Sequence, residues 1–550
     1  MNGAHFVVKT LERLGVDTVF GYPGGAIMPL YDALVEARFR HILVRHEQGA
    51  ALAADAYARA SGKVGVCLAT SGPGATNLVT GLANAYLDSV PVLAITGQVP
   101  TVLMGTDAFQ EVDVLGITMP IVKHSFLPRT LEDLAWMLPE AYELAQNGRP
   151  GPVVLDLPKD LTQAIMPDIS AGPRLVPQPN PVHPSSLRRA KQLFLEAKRP
   201  LAYIGGGVGI AQSETNLVNW LEHTGLPAVT TLKGIGSIPG THPQCLGMLG
   251  MHGTKAANYA VQDCDLLIAL GARFDDRATG KLKEFAPLAK VIHVDLDPAE
   301  IGKLRGAHVA YSGSFESFFE ACSQPPAIDA WQKQCALWKS SNPWRYDAPG
   351  EGIYAPRLLH KLSEATRANA IVTCDVGQHQ MWVAQHMNFN SPRQHLSSSG
   401  LGTMGYGVPA AIGAQFAHPD RPVICVSGDG SFMMNVQELA TISRYKLPIK
   451  ILLLDNQSLG LVRQWQELFF NGRFSEIDLS DNPDFVQVAE SFGIPAMRFE
   501  SADQEDLLVD LIRHKSGPLL IHALIDPKAN VWPLVPPGAA NHQMMEGVTT

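Results

Sequence analysis

The sequence has no stretch approaching the roughly 20 consecutive apolar residues that a membrane helix needs. Neither an apolar leader nor an Arg-rich transit segment precedes the first helical pattern at 4–14, so a cytoplasmic protein is the expectation. Cysteine is scarce and unpaired in pattern. Cys67, Cys245, Cys264, Cys322, Cys335, Cys374 and Cys425 form an odd set without a CxxC pair, several of them in strand-like apolar runs. That excludes a disulfide framework and a zinc site and leaves small buried residues. Charge of one sign is nowhere concentrated. The net −9 is spread along 550 residues with no basic patch, which argues against nucleic acid or an anionic membrane as partner. What is abundant is glycine, 49 residues, with alanine and short apolar runs, as suits a soluble α/β protein of two to four domains.

The most telling run is Gly428-Asp429-Gly430-Ser431. It follows a strand-like segment at 422–426, and a second one, 449–454, ends at Asp455-Asn456. The residues between, 432–445, read as one helix. A right-handed βαβ crossover brings both strand ends to the same edge of a parallel sheet, where open α/β sheets bind ligands. Mg²⁺ takes one or two carboxylates and fills its remaining positions with water and phosphate oxygens. Asp429 with the amide oxygen of Asn456 fits a metal diphosphate, and Gly428 and Gly430 let the backbone approach the phosphates.

The pattern occurs twice. Ser71-Gly72-Pro73-Gly74 followed by the strand-like 91–98 echoes Ser427-Gly428-Asp429-Gly430 followed by 448–457, which implies sister domains at the two ends of the chain. The first copy has Pro73 and Gly97 in place of Asp429 and Asn456, so it should not hold the metal. Two proline-rich seams, 166–186 and 323–352, divide the chain. The expected fold class is α/β, with three doubly wound parallel-sheet domains at 1–165, 186–322 and 353–528. An irregular tail, 529–550, follows.

The middle domain reads as nucleotide-binding without the usual fingerprint. The strand 201–204 leads into Gly205-Gly206-Gly207-Val208-Gly209, but Ile210 replaces the third spaced glycine. An acidic residue appears only much later, at Asp295 and Asp297, which disfavours a nicotinamide site. A glycine-rich turn without a ligand stays open on these residues alone. Further glycine-rich segments at 249–254 and 271–277 favour an extended nucleotide. In the first domain the strand 41–44 runs into Arg45-His46-Glu47-Gln48-Gly49-Ala50 and an Ala-rich helix. Glu47 therefore lies at a strand's carboxyl end, either as a catalytic acid or as a charge complementing the helix N-terminus, worth about 0.3–1 kcal/mol.

Together these motifs resemble the thiamine-diphosphate enzymes, and most closely the large catalytic subunits of acetohydroxyacid (acetolactate) synthase of the isozyme II type. The resemblance rests on Phe20-Gly21-Tyr22-Pro23-Gly24-Gly25, Arg45 to Ala50, Gly105-Thr106-Asp107-Ala108-Phe109-Gln110-Glu111, Met248 to Thr254, Arg273-Phe274-Asp275-Asp276-Arg277, Gly400 to Gly407, Gly428 to Ser431, and Val531-Trp532-Pro533.

It implies decarboxylation of pyruvate and transfer of the two-carbon remainder to pyruvate or 2-ketobutyrate, in branched-chain amino acid biosynthesis. It implies Glu47 as the acid at the pyrimidine ring, Met404 as the wedge under the cofactor, and Gly402 with Met404 at the pyrimidine edge. Gln378, His379, Asp429, Gly430, Ser431 and Asn456 would hold the diphosphate and Mg²⁺, with the Ser458 carbonyl as third metal ligand. Arg277 would clamp the acceptor carboxylate and Trp465 would favour the longer acceptor, while Phe109, Gln110 and Lys159 would line the entrance. FAD would bind at Ser89, Arg149, Gly206, Thr231, Leu232, Leu249, Gly250, Met251, His252, Gly271, Ala272, Arg273, Phe274, Asp275, Asp295 and Leu296. Ser314 departs from the family's acidic residue there, and Pro537 stands in the tail where many relatives have serine. The resemblance further implies a homodimer or dimer of dimers with Glu47 and Asp429 contributed by different chains, and a small regulatory subunit. A flavin-dependent pyruvate oxidase and a non-catalytic scaffold of the same fold are the alternatives.

Overall fold

The computed structural model describes residues 1–167, 172, 184–347 and 350–547. Most of the first expected proline-rich seam, 166–186, lies outside the described residues. Among the described residues three six-stranded sheets, parallel throughout, follow one another along the chain. The first contains β1 (Thr18–Gly21), β2 (Arg40–Leu43), β3 (Gly65–Ala69), β4 (Val92–Gln98), β5 (His124–Phe126) and β6 (Val153–Pro158). The second contains β7 (Pro200–Ile204), β8 (Ala228–Thr230), β9 (Cys245–Met248), β10 (Leu266–Leu270), β11 (Lys290–Val294) and β12 (Val309–Tyr311). The third contains β13 (Ile371–Cys374), β14 (His395–Ser397), β15 (Val423–Gly428), β16 (Lys450–Asp455), β17 (Ala496–Phe499) and β18 (Leu519–Leu524).

The strand orders are β2-β1-β3-β4-β6-β5 and β14-β13-β15-β16-β18-β17 at the two ends, which is one topology used twice. The internal echo in the sequence is thus a repeat of whole sheets. The middle sheet runs β12-β11-β10-β7-β8-β9, the order of dinucleotide-binding folds read from its far edge. Strands buried on both faces, such as β3, β10 and β15, are continuous apolar runs, as a parallel sheet covered by helices requires. All seven cysteines are buried and free. No helix among the described residues is long and apolar enough to cross a membrane.

The end domains share a core. Helix Glu47–Ser61 packs against helix Gly407–Ala417 across an Ala- and Gly-lined seam. A Cβ on Gly413 would stand 2.0 Å from the Ala53 carbonyl oxygen, so this approach depends on glycine. A buried polar network reinforces the seam. Arg59 pairs with Asp55 and Asp88, each at 2.7 Å, and donates to the Ser397 carbonyl. Asp88 accepts the backbone N–H groups of Ser399 and Gly400, and Asn84 Oδ1 accepts the Ser398 and Thr403 hydroxyls. The first domain thereby shapes the glycine-rich segment of the third.

The single helix expected over 432–445 is instead broken into Asp429–Met433, a 3₁₀ turn Val436–Glu438, and Leu439–Tyr445. Asn435 causes the break, leaving helical backbone angles while its side-chain amide donates to the Gly405 carbonyl at 2.7 Å. Among the described residues the tail contains no helix or strand beyond an isolated bridge between Leu534 and Met545, and its Trp532–Pro533 bond is cis.

Candidate active site

Asp429 opens the helix that follows β15, and Asn456 is the first residue past β16, the adjacent strand. Both are buried at the carboxyl edge of the sheet. Asn456 donates to Gln378 Oε1 at 3.0 Å, and its own Oδ1 accepts from the Ser458 amide. Asn482, which the sequence did not flag, donates to Asp429 Oδ2 at 3.1 Å. Burial and the neighbouring Asp455 carboxylate push the Asp429 carboxyl well above the usual range. Burial also opposes charge on Asp455, but its 2.7 Å hydrogen bond with His522 Nε2 prevails and keeps it ionised.

In the first domain Gly97 lies inside β4, and the residue just past that strand is Val99. Neither side chain offers a metal ligand.

The edge fits a metal diphosphate. Among the described residues no group of three or more His, Cys, Asp or Glu is placed to hold a metal, so a cation here would use one carboxylate, an amide oxygen, a carbonyl and ligand oxygens. That is a Mg²⁺ donor set. Two buried polar atoms beside it, His379 Nε2 and Ser458 Oγ, have no hydrogen-bond partner. Burial pushes His379 down to about 3, so its ring is neutral and can donate to a phosphate oxygen. Ser431 Oγ is committed to the Val376 carbonyl at 2.7 Å. A Cβ on Gly430 would come within 2.9 Å of Leu459 Cδ2 and 3.7 Å of Met404 Cε, which places Met404 directly beside this turn. The Met404 loop is organised by Asp375, another unflagged residue. Its buried carboxylate accepts the N–H groups of Val376, Gly405, Tyr406 and Gly407 and the Ser427 hydroxyl.

Glu47 is the first residue of its helix, with His46 as N-cap. It is buried, and Oε2 accepts from Asn77 Nδ2 at 2.9 Å. The turn before it is held from the third domain, where Glu438 Oε1 accepts the backbone N–H groups of Arg45 and His46. Gln110 has positive φ and its backbone presses on Gly72, while Phe109 is 88% exposed. Lys159 begins a short helix whose Asp160 accepts from Thr101, tying this helix to the 101–111 loop region. Among the described residues no hydrogen bond joins Glu47, Phe109, Gln110 or Lys159 to Met404, Asp429 or Asn456. Glu47 and the diphosphate edge are thus not hydrogen-bonded to each other within one chain.

A cavity of about 1160 Å³ lies where the three domains meet. Of the residues the resemblance assigned to a flavin nucleotide, Ser89, Arg149, Gly206, Thr231, Leu232, Leu249, Met251, His252, Gly271, Ala272, Arg273, Asp275, Asp295 and Leu296 line it. Gly250 and Phe274 do not. Both backbone groups of Gly250 are taken by the Asn258 side chain, and Phe274 is sealed in an aromatic cluster with Tyr203, Phe285 and His293. Ser314 lines the cavity as the N-cap of helix Phe315–Ala321. Arg149 bridges domains, donating to Ser89 Oγ and pairing with Asp297 and Glu300. Burial pushes Asp295 up to about 6. At the mouth Arg277, 62% exposed, sits over the Trp465 ring at 5.8 Å. Gly402 also borders the cavity.

Three models of thiamine pyrophosphate enzymes match the chain in order: the N-terminal TPP-binding domain over 1–117, the central domain over 187–322 and the C-terminal TPP-binding domain over 375–523. The chain is 56% identical over 546 residues to the acetolactate synthase isozyme 2 large subunit of Escherichia coli (strain K12), covering 99% of this chain and all of that protein. It is 47% identical over 563 residues to the acetolactate synthase large subunit of Pyropia yezoensis, covering 99% and 95% of the two chains. The probable acetolactate synthase large subunit of Methanocaldococcus jannaschii is 47% identical over 560 residues, covering 98% and 94%.

Proposed function

The chain belongs to the thiamine-diphosphate-dependent acetolactate synthase large subunits and condenses two 2-keto acids, and from that premise we propose how its own residues divide the work. Asp429, Asn456 and the Ser458 carbonyl would hold Mg²⁺, and Gln378, His379 and the first-turn backbone N–H groups of Gly430 and Ser431 would hold the diphosphate. Backbone groups of Gly402 and Met404 take the pyrimidine edge, and the Met404 thioether fills the gap beneath the folded cofactor. Glu47 holds and moves a proton at the pyrimidine ring nitrogen. When bound, thiamine diphosphate serves as the electron sink for decarboxylation. Arg277 receives the carboxylate of the acceptor, for which a planar, permanently charged fork is suited. Trp465 packs on the acceptor's alkyl group, and Phe109, Gln110 and Lys159 exclude water at the entrance.

The observation that carries this reading is the repeated sheet. Two domains of one topology present different chemistry at equivalent edges, Asp429 and Asn456 on one and Glu47 on the other. In this reading a second copy completes each site, in a homodimer or a dimer of dimers. The cavity among the domains takes FAD, at a volume above that of ordinary drug-sized pockets. The relatives' description as large subunits supports a small regulatory partner for this chain as well.

The test is product formation from pyruvate and 2-ketobutyrate, with thiamine diphosphate, Mg²⁺ and FAD omitted one at a time. Both acetohydroxy acids should form with all three present, and each omission should lower the rate. Trp465→Leu should reduce the preference for 2-ketobutyrate by roughly 10-fold or more, since one methylene in an apolar pocket is worth about 1–3 kcal/mol. Acetate or acetyl phosphate as the product would overturn the assignment of roles. An unchanged product ratio would remove Trp465 from it.

A further inference from the structure

Lys233 lies in the 3₁₀ turn Leu232–Gly234 after β8 and reaches the cavity among the three domains. Its stem lies across the turn that follows β7, where a Cβ on Gly206 would stand 2.7 Å from its Cγ and Cδ. Among the described residues it has no hydrogen bond or ion pair.

The charged groups around it are Asp88, Asp55 and Arg59 from the first domain and Arg273 from the second. Both acids are already committed. Asp88 serves Arg59 and the amides of Ser399 and Gly400, and Asp55 serves Arg59, Asn84 and the Tyr406 hydroxyl. Arg59 and Arg273 disfavour a further positive charge. Burial, assisted by these two, pushes the ammonium down to about 7 against the pull of the acids. A cation of this kind at the wall of a cavity is completed by an anion that arrives with the ligand.

Resting on the reading that this cavity holds FAD, we propose that the Lys233 ammonium binds a negatively charged group of the dinucleotide and makes FAD affinity depend on pH. The group is either the diphosphate or the N1–C2 carbonyl edge of the flavin ring, which accepts a hydrogen bond when oxidised and takes up negative charge on reduction. The protonated lysine binds FAD more tightly than the neutral one, so affinity falls as pH rises through the unliganded value.

The experiment titrates FAD into flavin-free protein by flavin fluorescence from pH 6.5 to 8.5. Wild-type Kd should rise about 10-fold across this range. Lys233→Met should bind about 10-fold more weakly at pH 6.5 with a flat profile, and Lys233→Arg should stay tight and flat. Parallel titrations with ADP and riboflavin, and the midpoint potential of bound flavin, separate the two contacts. Weaker ADP binding by Lys233→Met assigns the diphosphate, and a lower midpoint potential with unchanged ADP affinity assigns the ring. Wild-type affinity and slope in Lys233→Met overturn the inference, as does a Lys233→Arg variant no better than Lys233→Met. Failure of the wild-type protein to bind FAD at any pH overturns the flavin reading of the cavity itself.

Discussion

Replacing Glu47 with glutamine should lower kcat by about a thousandfold while leaving fold and cofactor binding nearly intact. A positioned acid–base group contributes typically 10²–10⁴-fold, and glutamine keeps the shape but cannot take up or release the proton. The local structure tolerates the change. Asn77 can turn its amide to meet either end of a glutamine, and the preceding turn is held by Glu438 through the backbone of Arg45 and His46, not by Glu47. Steady-state kinetics together with a thermal melt check this. A loss below tenfold would assign Glu47 to the helix N-terminus alone. A Tm lowered by many degrees would assign it to stability.

Asp429→Asn should abolish the stabilisation that Mg²⁺ and thiamine diphosphate confer, with activity falling to background. The substitution keeps an oxygen for Asn482 but removes the only carboxylate of the proposed donor set. In the free protein the effect should be neutral or slightly favourable, because the variant relieves crowding between two buried carboxylates. The sign of the change therefore depends on ligand. Wild-type protein at 100 times Kd gains about 2.7 kcal/mol, and the variant should gain nothing. Melting curves with and without the two ligands measure this. A variant whose Tm still rises with ligand would place the metal elsewhere.

Much of this arrangement was legible in the sequence because parallel sheets write themselves as short apolar runs. β15 and β16 are such runs, and the residues just past them, Asp429 and Asn456, therefore fall at a predictable edge. The echo between the ends of the chain was visible for the same reason, though it set Gly97, which lies inside β4, against Asn456, which lies just past β16.

What escaped was set by partners far apart in the chain. Nothing near Asn435 predicts that its amide will seek the Gly405 carbonyl and break a helix. Asp375 and Glu438 read as ordinary acids, one after a strand and one in a helical segment, until folding brings the Met404 loop and the Glu47 turn onto them. Gly250 and Phe274 sit in the right segments but are turned away by Asn258 and by an aromatic cluster, a choice that motif matching does not resolve. Lys233 was passed over beside Thr231 and Leu232 because its lack of partners exists only in three dimensions.

The central claim is that Glu47 and Asp429 meet across two chains, and mixing the two inactive variants tests it most directly. After subunit exchange in an equal mixture of Glu47→Gln and Asp429→Asn, half the dimers are mixed and each should contain one intact site. Activity should return to about a quarter of wild type, as two-fold symmetry requires. Activity that stays at the sum of the two parents, with exchange verified independently, would contradict a shared site and place acid and anchor within one chain.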